Sequence, residues 1–430
     1  MKKMPRGNRS PQRPITSESP DVPTASLLFK VLSDSREDLR ELIVRSGLDV
    51  FRAMLEDERT VVCGRRSQPS VDRTAYRHGY DDGELVLGGR KVVVKKPRVR
   101  SADGARELAL PLWNRMARRD PLTDRVMEQM LVGVSTRDYA RSLEPLPALL
   151  RSRGTTRSAV SRHFVARTQA QVEDFLSRPL EDETYPVLVI DGKGFGDYLL
   201  IVILGIATDG RKRILGIAEG STENSALCRR LLSDLVERGL SAEEARLVVI
   251  DGGKGIRKAV REVFAARAIV QRCQVHKMRN VLEHLPKDQQ RWAKTAMEAA
   301  YGCSDPKKAK EMLERLAKRL EEKHPGAAAS LREGLEETLT VTGLNLTDAL
   351  WRTLRSTNTI ENVQGTLEKK STNVKRWRSG TMAVRWAVTA AIEAEKKFRR
   401  VRGHKQMPRF VEALRRKIGT HSVDTEKAVA

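Results

Sequence analysis

Two apolar runs, Val187-Leu188-Val189-Ile190 and Leu247-Val248-Val249-Ile250, are each followed by an aspartate and a glycine, Asp191-Gly192 and Asp251-Gly252. Such runs read as buried strands, and a carboxylate at the end of a buried strand sits where the sheet meets solvent, positioned by rigid neighbours. If the two strands are adjacent, about 4.8 Å apart, the carboxylates cannot ionise comfortably side by side unless a divalent cation holds them together. This repetition places a sheet at the centre of the fold and makes catalysis the leading question.

The surrounding pattern supplies the rest of the sheet. Within residues 184–285 a first strand reaches Asp191, a second covers 198–208, and a third covers 213–218 after the Asp209-Gly210 turn. A helix over 223–238 carries Leu227, Cys228, Leu231, Leu232, Leu235 and Val236 on one face and stops at Gly239. The strand ending at Asp251 follows, then a helix over 256–264, a strand over 268–273 and a helix from about His276. The order β-β-β-α-β-α-β-α predicts an α/β fold, a mixed sheet with helices on both faces.

Residues 286–352 read as helices alone, most clearly from Pro306, where Ala309, Met312, Leu313, Leu316, Ala317 and Leu320 form one stripe. Residues 353–403 hold a helix carrying Glu361 and a basic helix through 396–400, and 404–430 read as a polar tail. On the N-terminal side, residues 1–24 have the composition of a disordered basic arm. Residues 25–115 hold two helices, between 25 and 55, and a β-hairpin about Gly88-Gly89. Residues 116–180 hold short helical patterns. The last, Thr155-Thr-Arg-Ser-Ala-Val-Ser-Arg-His-Phe164, has the look of a helix-turn-helix recognition helix with Arg157 and Arg162 toward DNA, against the plainer reading of a capped surface helix.

Composition narrows the partners. A formal net charge of +24 over 430 residues, spread through every region, calls for a polyanion. The longest strongly apolar run, residues 198–207, falls well short of the roughly 20 residues of a spanning helix, so a membrane is not expected. No apolar stretch follows the basic start, and the four cysteines lack paired spacing, which together predict a cytosolic chain with free thiols.

Glu361 is the third acid of choice. Ile360, Val363 and Leu367 make the buried stripe of its helix and leave it beside the core edge, although Asn358 three residues earlier gives the spacing of a capping box. Asp191, Asp251 and Glu361 together would bind two Mg²⁺ or Mn²⁺ ions through oxygen, which is the chemistry of phosphodiester cleavage. Turn aspartates before glycine are the competing reading for the first two. The loops after Asp191 and Asp251 complete neither G-x-G-x-x-G nor the P-loop spacing, so nucleotide binding is not expected. Cys273 and His276 supply two zinc ligands where four are needed, and read better as supports beside the acids, with Asn358 alongside. Lys369, Lys370, Lys375, Arg376 and Arg378 around Trp377 suit phosphate contacts with base stacking, against a solvated face with a core indole.

With these residues assembled, the chain resembles the bacterial Mutator-type insertion-sequence transposases from about residue 36 to 402. The motifs that carry the likeness are Tyr76-Arg-His-Gly-Tyr80, Val132-Gly-Val-Ser-Thr-Arg137, Val160-Ser-Arg162, Asp191-Gly, Asp251-Gly-Gly, Cys273-x-x-His276 and Thr357-Asn-Thr-Ile-Glu-Asn362. The resemblance implies a ribonuclease-H-like catalytic domain with an Asp-Asp-Glu triad at Asp191, Asp251 and Glu361, interrupted by the helical stretch as an insertion, and a Cys-x-x-His motif of open role. It also implies a bacterial, nucleoid-associated enzyme that binds terminal inverted repeats and target DNA as a homodimer or larger assembly, cleaves and transfers strands. A nuclease without strand transfer, or a silent DNA-binding regulator, are the alternatives. The arm before residue 24 and Lys193 depart from the expected pattern.

Overall fold

The structure, a computed structural model, describes residues 39–68, 73–118, 121–147, 150–220 and 225–429. The arm over 1–24 and the first of the two helices expected between 25 and 55 lie outside these residues. The chain divides into two compact units, Met1–Asp120 with Leu143–Arg153, and Pro121–Ser142 with Gly154–Ala430.

In the first unit, helix α1 (Leu39–Cys63) precedes a hairpin of β1 (Ala75–Leu87) and β2 (Arg90–Ser101), joined by β3 (Glu107–Leu108), helix α2 (Pro111–Arg118) and β4 (Ser152–Arg153). Leu87 pairs with Arg90 across Gly88 and Gly89, both at positive φ (57° and 81°), the demand of a tight two-residue hairpin. β1 starts earlier than its polar sequence suggests because Val92, Val94 and Val99 of β2 give it a buried partner. Gly83 is a packing requirement, since a Cβ there would meet the Trp113 ring at 2.1 Å. The Tyr76–Tyr80 motif has a structural use: Arg77 and Tyr80 both donate to the Glu56 carboxylate of α1, at 3.1 and 2.9 Å, beside Arg59 at 2.6 Å.

The second unit begins with α3 (Pro121–Leu131), α4 (Tyr139–Ser142) and α5 (Arg157–Ser177). A five-stranded sheet follows, from β5 (Val187–Phe195), β6 (Tyr198–Ile206), β7 (Lys212–Gly220), β8 (Arg246–Ile250) and β9 (Ala268–Arg272), in the order β7-β6-β5-β8-β9. The first three are antiparallel, and β5-β8 and β8-β9 are parallel. The expected alternation of strands and helices is met, with α6 (Ser225–Glu237) and α7 (Lys254–Phe264) as the crossovers.

Side-chain parity assigns the two faces. Leu188, Ile190, Ile201, Ile203, Val248 and Ile250 pack with α6 and α7 in one core. Val187, Val189, Leu200, Val202, Leu247 and Val249 point the other way, into a second core shared with α13 (Asn358–Lys370), α14 (Gly380–Glu395) and α15 (Met407–Val429). Between β9 and α13 the chain forms α8 (Gln274–Glu283), α9 (Lys287–Tyr301), α10 (Pro306–Glu321), α11 (Pro325–Arg332) and α12 (Asp348–Leu354). Val281 and Leu285 already belong to the separate core of this helical stretch, with Met297, Leu313, Leu320 and Leu331. The return segment shields the β9 edge: Thr340 Oγ1 donates to the Val270 carbonyl at 2.7 Å and Val341 N to Gln271 Oε1 at 2.8 Å.

Two expectations are corrected at the C-terminal end. Residues 396–400 are not helical, because α14 stops at Glu395. The supposed polar tail over 404–430 is mostly helix α15, whose Met407, Phe410, Leu414 and Ile418 fall one turn apart and fill the second core. No helix among the described residues is long and apolar enough to cross a membrane.

Candidate active site

Parallel pairing of Ile190 with Ile250 puts Asp191 and Asp251 next to each other on neighbouring strands. By the two-residue alternation of strands, both carboxylates share the face of Val189 and Val249, the one covered by α13. Their settings differ. β5 does not end at Asp191 as the sequence suggests but runs on to Phe195, paired with β6, because the β6 run from Tyr198 offers it a long antiparallel partner. Asp191 is thus a strand residue, nearly buried at 5% exposure, and the turn-aspartate alternative does not describe it. Asp251 does leave its strand: its Oδ1 accepts from Gly253 N at 2.9 Å. Gly252 sits at φ +124°, with its carbonyl accepting from Arg272 Nη2 at 2.5 Å.

Glu361 lies in the first turn of α13, whose Ile360, Val363 and Leu367 are buried as the stripe predicted. The capping box does not form. Asn358 is an exposed first helical residue, the cap position is Thr357, and Thr357 Oγ1 donates to Glu361 Oε1 at 3.0 Å. The carboxylate therefore stays clear of the helix backbone and is free for other work.

Asp251 and Glu361 both lie within electrostatic range of Asp191. Burial, then the Asp251 charge, push the Asp191 carboxyl up to about 6, with Glu361 adding to the rise and His276 opposing it. Gln364, one turn beyond Glu361 and itself buried, faces Asp191 and also opposes the rise, although its Nε2 completes no well-formed hydrogen bond. His276 is raised to about 9, first by its partnership with the Cys273 thiol and then by the Asp191 and Glu361 charges, against burial. Its Nε2 lies 3.8 Å from Glu361 Oε1. A donor set of three carboxylates, one of them with its pKa raised first by burial and then by a neighbouring carboxylate, has the oxygen chemistry that suits a hard divalent cation. Among the described residues no three His, Cys, Asp or Glu side chains are gathered closely enough to hold an ion as they stand. The arrangement is a juxtaposition from β5, the end of β8 and α13.

Thr357 and Gln364 are site residues that sequence reasoning passed over. Both had a signal, Thr357 as the residue four before Glu361 and Gln364 as the residue three after it, on the same helix face. Cys273 and His276 lie against Thr357, whose Oγ1 is 3.4 Å from Cys273 Sγ and 3.3 Å from His276 Nδ1.

The basic residues occupy the end of α13 and the loop behind it. Lys369, Lys375, Arg376 and Arg378 are exposed and Lys370 half-buried. Trp377 takes the core placement: its ring packs edge-on to Phe195 at 5.6 Å, over Gly196, where a Cβ would come within 2.6 Å of it. Asn373 ties this loop to the Val132–Arg137 motif by donating to the Met130 and Val134 carbonyls, both at 3.0 Å. Arg157 and Arg162 are exposed on α5. That helix is longer than expected, capped by Thr156 and anchored by Phe164 against Trp386, with ring centres 4.5 Å apart.

Acids converging on a helix-covered mixed sheet, beside exposed cations on a basic chain, define a protein suited to nucleic acid. A family model described as "Transposase, Mutator family" matches residues 25–400, and the chain belongs to that family. Among similar proteins, the transposase for insertion sequence element IS256 in transposon Tn4001 of Staphylococcus aureus is 26% identical over 83% of this chain and 92% of its own length. The transposase for IS6120 of Mycolicibacterium smegmatis is 32% identical over 61% of this chain and 82% of its own length. That for IS1081 of Mycobacterium tuberculosis is 27% identical over 81% and 83%.

Proposed function

We propose that this transposase binds the terminal inverted repeats of its own insertion sequence, cleaves DNA there, and joins the freed 3′ ends to target DNA. The mixed sheet ordered β7-β6-β5-β8-β9 supports the ribonuclease-H-like reading of its catalytic core. The observation that carries the proposal is the placement of Asp191 and Asp251 directly after the parallel partners Ile190 and Ile250, with Glu361 in the first turn of the helix that covers the same face of the sheet.

Asp191, Asp251 and Glu361 are the residues that would hold two Mg²⁺ or Mn²⁺ ions. Divalent ions in such a site supply activation of a water or 3′-hydroxyl and stabilisation of the leaving oxygen. The protein's share is positioning. β5 fixes Asp191, the turn directly after β8 fixes Asp251, and burial excludes water from the first. Thr357 holds Glu361 through Oε1, and a protonated His276 beside it balances part of the carboxylate charge. Lys369, Lys370, Lys375, Arg376 and Arg378 would grip phosphates near the site, with Arg157 and Arg162 on the α5 surface contacting DNA ends. Holding two ends together calls for at least a homodimer.

The test uses the full-length chain, labelled DNA carrying the element ends, a target plasmid and Mg²⁺. Joined product from wild type, and end binding without cleavage by Asp191→Asn, is the expected result. Cleavage without joining would make the chain a nuclease, and end binding without cleavage by wild type a silent regulator. Unchanged Mg²⁺-dependent nicking by Asp191→Asn would refute the site assignment.

A further inference from the structure

We infer that Cys273 and Thr357 form a hydrogen-bonded staple that positions the Glu361 carboxylate, so that the Cys-x-x-His motif closes the helical insertion and is not a metal site. The inference rests on the reading of Glu361 as the third acid.

Cys273 is the last residue before the chain leaves the sheet for α8, and Thr357 caps the helix on which it returns, 84 positions later. Both are fully buried. Cys273 Sγ accepts two backbone N–H groups, those of His276 and Thr357, each at 3.4 Å. A second bond joins the same exit and return, from Gln274 N to the Arg355 carbonyl at 3.1 Å. Cys273 is in turn tied to the sheet, its N donating at 2.7 Å to the carbonyl of Ile250, the residue before Asp251. An unbroken path therefore runs from the strand carrying Asp251, through Cys273 and Thr357, to Glu361.

Proton counting gives the path a direction. Thr357 has one hydroxyl proton and three polar neighbours: Glu361 Oε1 at 3.0 Å, His276 Nδ1 at 3.3 Å and Cys273 Sγ at 3.4 Å. The Glu361 oxygen is the nearest of the three, and the hydroxyl donates to it. His276 Nδ1 and Cys273 Sγ complete the surroundings of Thr357 Oγ1. Separating the insertion's two ends would take Cys273 and His276 away from Thr357, at the cost of leaving polar groups unpaired in the core. The closed junction thus fixes the hydroxyl that holds Glu361. The Cys273 sulfur reaches a backbone N–H on each side of the gap, which explains a buried cysteine at a position with too few partners for zinc.

Mn²⁺ titration of the full-length chain, followed by calorimetry, tests this alongside DNA-end cleavage. Thr357→Val should lose about tenfold or more in Mn²⁺ affinity and cleave more slowly in proportion, while end binding is kept, since groups that orient metal ligands have effects of this size. Thr357→Ser, which restores the hydroxyl, should recover both. Wild-type Mn²⁺ affinity in Thr357→Val, or equal damage in Thr357→Ser, would overturn the staple. If Thr357→Val does not fold, Cys273→Ala and Cys273→Ser decide: weaker Mn²⁺ binding only in the alanine variant supports the staple, and equal affinities overturn it. Glu361→Gln separates the two levels. If it binds Mn²⁺ and cleaves like wild type, the third-acid reading fails; if it is defective while Thr357→Val is not, only the staple fails.

Discussion

Ile190 and Ile250 are parallel partners on adjacent strands, and the residue after each is an acid of the site. One residue of slip in this pairing would send the whole apolar set of β5 or β8 to the wrong face. The hydrophobic pattern that builds the two cores is therefore what sets Asp191 beside Asp251.

A pH dependence follows for the metal-free chain. Asp191 has an ordinary value of 3.8 and is held at about 6 in the folded protein, so the folded form binds this proton more tightly than the unfolded one. Its contribution is harmless below about pH 4 and becomes destabilising as pH rises through about 6. Asp191→Asn should then melt higher than wild type near pH 7, with the gap closing toward pH 4. Mn²⁺ should raise the wild-type melting temperature more than that of the variant. A gap independent of pH would count against this environment for Asp191.

The clamp between α14 and the sheet should be costly to break. Arg178 Nη1 and Nη2 each donate to Glu395 at 3.0 Å, both side chains being only 19% exposed, and Glu395 also accepts from Ile214 N. Glu395→Ala leaves a partly buried guanidinium without its counter-charge, bonded only to the Ile214 carbonyl, and removes the acceptor of Ile214 N, for an expected loss of about 3 kcal/mol. Urea unfolding measures it, and a loss below about 0.5 kcal/mol would mean the pair is no more than a surface contact.

Cations and indole of the α13–α14 loop should separate by assay. Alanine at Lys375, Arg376 or Arg378 should lower the slope of log affinity against log salt by about one for each DNA phosphate left without its cation. Trp377→Ala should leave that slope alone and lower the melting temperature, since the ring is packed on Phe195. A reduced slope in Trp377→Ala, or unchanged slopes in all three cation variants, would reverse these roles.

Much of this arrangement was legible in the chain. Unbroken runs such as 187–190 and 247–250 announce strands covered on both faces, and crossover helices with stripes such as Leu227, Leu231 and Leu235 announce what covers them. Where β5 ends was not legible, because Gly192 and Gly194 look like turn residues and only pairing with β6 keeps them in the strand. The core role of α15 was masked by its charge, although Phe410, Leu414 and Ile418 repeat every four residues. Thr357 was hidden for another reason: its partners Cys273 and His276 lie more than 80 positions away, across the insertion.

The central claim is that Asp191, Asp251 and Glu361 share bound metal, and iron-directed backbone cleavage tests it most directly. Fe²⁺ replaces Mg²⁺ on the full-length chain with its DNA ends, and peroxide then generates hydroxyl radicals that cut the polypeptide beside the bound ion. Cuts adjacent to residues 191, 251 and 361, all suppressed by excess Mg²⁺ and by Asp191→Asn, are the expected result. Cuts near 191 and 251 that never include the neighbourhood of 361, or cuts elsewhere altogether, would contradict the account.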